Sequence, residues 1–134
     1  MDESVVIVKY DQHWEETFRT LQDEIAPLLN GLIVSIEHVG STAVRGVAAK
    51  PIIDMDVVVR SREDIPRVIE KLSTLGYRHL GDLGIAGREA FESPKRKPSH
   101  HLYVCSFDSR ELRRHLAFRD YLAVIQMMLY DTLN

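Results

Sequence analysis

The chain of 134 residues, 45% hydrophobic and 28% charged, has the size and mix of one globular domain spanning residues 1–134. Its formal net charge of −3 gives no reason to expect a general nucleic-acid binder, which carries a strongly basic surface, but leaves room for a local phosphate site. The acidic start Met1-Asp2-Glu3-Ser4, the lack of an apolar run of roughly 18 residues and the single Cys105 argue against a signal peptide, a membrane span and an intramolecular disulfide, so a cytoplasmic protein is expected.

Val5 to Tyr10 is a β-branched run that reads as a strand or extended arm, and Asp11 stands where a helix N-cap belongs. Trp14, Phe18, Leu21, Ile25 and Leu28 then form one apolar helical face, which Asn30-Gly31 should end. Leu32 to Val39 reads as a strand, Gly40-Ser41-Thr42 interrupts it, and Ala43 to Lys50 is a loop or helical turn. Pro51 to Val59 is the clearest strand of the chain. Ser61, with Asp64 three residues on, predicts a capping box for a helix whose inner face is Ile65, Val68, Ile69, Leu72 and Leu75, stopped by Gly76. Tyr77 to Leu80 reads as a short strand, Gly81 to Ser99 as irregular with Arg88 to Glu92 pairing inside it, and His101 to Phe107 as a strand. Ser109 caps a final helix with Leu112, Leu116, Tyr121, Leu122, Ile125 and Leu129 as its apolar residues. This order predicts an α/β (α+β) fold, one mixed β-sheet with helices packed on it.

The chemistry concentrates between His38 and Val59. Strand alternation turns Asp54 and Asp56 to one face and Ile53, Met55 and Val57 to the other. Two carboxylates so placed repel each other and lose hydration, unless a cation or donor compensates. Mg²⁺ (or Mn²⁺) does so, taking one or two carboxylates and filling its shell with water and phosphate oxygens. Gly40 permits close backbone approach, and the Ser41 and Thr42 hydroxyls can hold phosphate. The plainer reading is an exposed strand end beside an ordinary turn. Lys50, Arg88 and the loop Lys95-Arg96-Lys97 are either phosphate ligands or surface charges. His38, His100, His101 and Cys105 are metal ligands by type but lack ligand spacing, and GDLGIAG has no helix after it to make a dinucleotide site.

A strand ending in Gly-Ser, a short helical connection and a strand bearing Asp-x-Asp resemble the nucleotidyltransferase superfamily of the DNA polymerase β kind. HVGSTAVRGVAAKPIIDMDVVV, GDLGIAGREAF, HHLYV and HLAFRDYL are more closely similar to the GrpB family, over about Val8 to Leu122. The resemblance implies the nucleotidyltransferase-like fold and a nucleotide or other phosphorylated ligand bound with a divalent metal. It also implies a site of Asp54 and Asp56 as metal ligands and catalytic carboxylates, His101 as base or orienting group, and Gly40, Ser41, Thr42, Lys50 and Arg88 on the phosphates. A ligand-binding or interaction module that keeps the fold without catalysis is the alternative. Two departures stand out. The third carboxylate of active nucleotidyltransferases is missing from HHLYV, which offers His100, His101 and Tyr103, with Glu89, Glu92 and Asp108 as candidate substitutes that the sequence does not place. After FRDYL the chain turns apolar where relatives are charged. Val124, Ile125, Met127, Met128, Leu129 and Tyr130 cover most of the helix there, which predicts either a homodimer through this helix or a segment folded over an open sheet face.

Overall fold

The structure, a computed structural model, describes residues 6–133. In chain order the elements are α1 (His13–Ile25), β1 (Ile33–Val39), β2 (Ile53–Val59), α2 (Ile65–Ser73), β3 (Arg78–Gly81), β4 (Arg88–Glu92), β5 (His100–Ser106) and α3 (Arg110–Leu133). The strands form one mixed sheet in the order β1-β2-β5-β4-β3, with β2 and β5 parallel and all other neighbours antiparallel. No helix among the described residues is long and apolar enough to cross a membrane.

Alternation along β2 divides the molecule. Met55, Val57 and Val59 face α1 and α2 and meet Leu21, Ile25, Leu72, Leu102 and Val104 in the main core. Val58 turns the other way and packs with Cys105 and Leu112 beneath α3. The sheet is therefore covered on one face by α1 and α2 and on the other by α3, with the first face closed by apolar packing and the second only partly.

Several element ends differ from the reading of the sequence. Val8 makes an isolated bridge to Ala49, two backbone hydrogen bonds of 2.9 Å, so the expected first strand is an extended arm; Val5 lies outside the described residues. Asp11 does anchor the start of α1, since its carboxylate accepts the His13 backbone N–H at 2.8 Å. The regular helix stops at Ile25, because Pro27 has no N–H to continue the ladder. Tighter turns carry the chain to Gly31 at φ +85, and they place Leu29 rather than Leu28 fully in the core. The Ser61 hydroxyl accepts the Glu63 N–H at 3.2 Å, but a 3-10 turn, Arg62–Asp64, comes before α2, and Asp64 makes no side-chain cap bond.

Candidate functional site

The site lies on the α3 side of the sheet, at the end where β1 gives way to Gly40. Register places Asp54 beside Val39 of β1 and His101 of β5, and Asp56 beside Glu37 and Tyr103. Both carboxylates thus share one face, as alternation requires. Gly40 adopts φ +75 and ψ −175, and a Cβ there would stand 2.6 Å from Asp54 Oδ2. Only glycine fits: its backbone conformation disfavours L side chains and its space is taken by the carboxylate.

Each aspartate is held by a histidine. His101 Nδ1–H donates to Asp54 Oδ1 at 2.7 Å, and His115 Nδ1–H donates to Asp56 Oδ2 at 2.7 Å. His115 Nε2 in turn lies 3.2 Å from Glu111 Oε1, so the imidazole bridges two carboxylates. The Asp56 hydrogen bond raises the His115 pKa against an opposing effect of burial. Asp56 is fully buried, and Oδ1 has no hydrogen-bond partner among the described residues. Burial raises its pKa, and the bond from His115 partly offsets this.

A cleft of about 650 Å³ opens above Asp54 and His101, walled also by Gly40, Tyr103, Glu111 and Phe118; the fully buried Asp56 is not part of its wall, although His115, which holds it, is. A smaller hollow of about 280 Å³ adjoins it and shares Asp54 and His101; Ser41, Thr42 and Lys50 line that side. The Thr42 hydroxyl is occupied within the fold, paired with His38 Nε2 at 3.0 Å. His38 itself is packed flat on Phe18, and burial pushes its pKa down to about 4. Arg88 lines neither space. Its guanidinium carbon lies 4.4 Å from the centre of the Tyr103 ring, behind the cleft wall, with Nε buried and without a hydrogen-bond partner among the described residues.

Other candidates are drawn elsewhere. Lys97 is paired with Glu24 of α1 on the far side of the sheet, and residues 95–97 line neither space. His100 points into the opposite face, where it meets the Tyr77 hydroxyl at 2.7 Å. Cys105 is buried, its thiol pushed up to about 12 by burial. Glu89 pairs with His79, Glu92 with Arg78, and Asp108 accepts from Ser106, so none of these carboxylates reaches the cleft. The carboxylate that does is Glu111. With His115 and Arg119 it forms a stripe at i, i+4 and i+8 beside the inward Leu112 and Leu116. That spacing was the available signal for the contribution of α3.

The GrpB protein family model matches residues 4–127. UPF0157 protein YqkA of Bacillus subtilis is 38% identical over 118 residues, covering 88% of this chain, which spans only 34% of that relative's length. The crystal structure of GrpB from Enterococcus faecalis superposes with a TM-score of 0.79 at 34% identity, covering 88% of this chain and 72% of the other. The Cid1 poly(U) polymerase superposes with a TM-score of 0.64 at 15% identity, covering 87% of this chain and 38% of the polymerase, a likeness of fold alone. A nucleotidyltransferase fold whose Gly40 and Asp54/Asp56 segments lie within a family match of this extent has one assignment: the chain belongs to the GrpB family.

Proposed function

We propose that the cleft binds a nucleoside triphosphate together with a divalent cation, and that nucleotidyl transfer is the reaction it serves. The observation that carries this reading is the carboxylate pair: Asp54 backed by a glycine it leaves no room to replace, and Asp56 buried with one oxygen unpaired. A fold under no demand for charge would not retain that cost. Asp54 and Asp56 fit Mg²⁺ or Mn²⁺, which accept one or two carboxylates. Among the described residues no three His, Cys, Asp or Glu side chains converge as a metal cage, so a cation held here takes its other ligands from phosphate and water. When bound, the cation neutralises charge on the phosphates.

The chain's own groups have separable roles. Ser41 and Lys50, around the smaller hollow, receive the phosphate end. Tyr103 and Phe118 provide flat apolar walls for the base, with Arg88 supporting Tyr103 from behind. His101, half exposed beside Asp54, is the group placed to orient or deprotonate an acceptor hydroxyl. His115 and Glu111 are positioning residues that fix Asp56. Crystals of Cid1 hold MgATP and a UTP analogue on this fold, which supports the assignment of the ligand class.

A second reading, binding without transfer, is favoured by Tyr103. It stands opposite Asp56 on β5, a strand without a carboxylate, whereas active nucleotidyltransferases carry a third one on a strand neighbouring the pair. Titration with MnATP, MnGTP, MnUTP and coenzyme A derivatives, followed by thermal shift, tests both. A ligand at 100 times its dissociation constant stabilises the fold by about 2.7 kcal/mol. The metal-dependent part should vanish in Asp54→Asn/Asp56→Asn; unchanged nucleotide affinity in that folded variant rejects the site. Tight binding with no turnover of labelled nucleotide selects the second reading.

A further inference from the structure

Helix α3 leaves the body of the protein part-way along its length. Leu112 is buried, Arg119 reaches Glu37 of β1, and the Gln126 side chain crowds Gly46, so one side of the helix stays docked. The other side carries, beyond the cleft wall at Phe118, the side chains of Tyr121, Val124, Met127, Met128 and Leu129, each more than half exposed. Ala117, Tyr121, Val124 and Met128 follow at steps of four, three and four, the spacing of a helix–helix seam.

We propose that this stripe is a homodimer seam, in which α3 of one copy pairs antiparallel with α3 of a second about a two-fold axis near Tyr121 and Val124. Charge sets the direction. Arg110, Arg113 and Arg114 outweigh Glu111, which pairs with Arg114, at the start of the helix, and Asp131 lies near its end. An antiparallel pair sets the arginines of each copy toward the partner's Asp131 and opposes the two helix dipoles, whereas a parallel pair sets arginine against arginine. A two-fold arrangement also closes on itself and builds no open filament. The area is sufficient: these five side chains present roughly 500 Å² per copy, so pairing removes roughly 1,000 Å² from water, the lower bound of a specific interface. Such a dimer is weak and dissociates on dilution.

Light scattering or sedimentation of the 134-residue chain over about 5 to 200 μM reads this directly. The mass should climb from 15.4 kDa toward twice that value. Tyr121→Glu and Met128→Glu, at exposed positions, should keep the helical circular dichroism and weaken the dimer at least tenfold. Asp131→Arg should also weaken it, and adding Arg114→Asp should restore it. A mass of one copy throughout the range overturns the proposal and assigns the stripe to another segment or a different partner. A dimer indifferent to both glutamate substitutions overturns it equally, and failure of the charge reversal to restore the dimer overturns the antiparallel arrangement.

Discussion

At Gly40 the conformation and the surroundings act together. A φ of +75 with ψ −175 lies in a region essentially confined to glycine and costs an L residue about 1–3 kcal/mol, and a Cβ 2.6 Å from Asp54 Oδ2 must also displace that carboxylate. Gly40→Ala is therefore expected to lower stability by at least about 1 kcal/mol in urea titrations, and to cut metal-dependent nucleotide affinity by more than its effect on stability explains. His38 makes a different prediction. Its pKa is pushed down to about 4, chiefly by burial, while the unfolded chain retains an ordinary value of 6.5. Between those values the unfolded state binds the extra proton, so this residue makes stability fall as the pH drops from 6.5 toward 4. The slope from this one group is at most about 1.4 kcal/mol per pH unit. His115, with its raised pKa, acts in the opposite sense: its contribution is full below 6.5 and is lost as the pH rises through the folded value. Denaturation of His38→Gln at several pH values should show a flatter acid limb than the parent, with the His115 contribution unchanged.

Among the elements, α3 completes the site and is held to β1 by a charged anchor. Arg119 donates to Glu37 at 3.0 Å and to the His38 carbonyl at 3.2 Å, tying the helix to the strand that leads into Gly40. Arg119→Ala should cost about 1.5–3 kcal/mol, the range of a charge-assisted bond with both partners mostly covered, and should weaken nucleotide binding less than loss of either aspartate. Calorimetry on the same protein samples separates the two effects. The strands were legible because each speaks locally: Ile53–Val59 is β-branched and alternating, and Gly76 marks a stop beside Tyr77. The face shared by Asp54 and Asp56 followed from period two alone. What the sequence concealed was tertiary. Nothing near Pro27 says that Leu29 will replace Leu28 in the core, and nothing near Lys97 says that Glu24, 73 residues away, will hold it on the wrong side of the sheet for a phosphate clamp. Glu111 and His115 were missed because the capping and apolar pattern of α3 drew attention to its leucines, while the polar stripe beside them has meaning only once Asp56 lies beneath it.

Across the whole molecule, one strand serves two opposed demands. β2 sends Met55, Val57 and Val59 into the closed apolar core and Asp54 and Asp56 into the α3 side, so stability and the proposed ligand binding rest on alternate residues of one segment. The two should respond independently. Leu102→Ala, in the core on β5, is expected to cost about 2–5 kcal/mol while leaving ligand affinity nearly unchanged. Asp56→Asn should behave in reverse. Burial raises the pKa of Asp56 above its ordinary value, so its favourable protonated state exists only in acid and is lost as the pH rises through the folded value. At neutral pH the parent protein thus carries the cost of a buried carboxylate with one oxygen unpaired. Asparagine removes the charge and still offers an oxygen to the His115 N–H. The variant should melt a few degrees higher, a gain of about 1 kcal/mol that shrinks as the pH is lowered toward 4, while its metal-dependent nucleotide binding is abolished. Melting curves of both variants at neutral and acid pH, each with and without MnATP, check the pattern. A less stable Asp56→Asn protein would mean that the His115 bridge stabilises the fold by more than burial of the carboxylate costs, and the charge would then need no ligand to account for it.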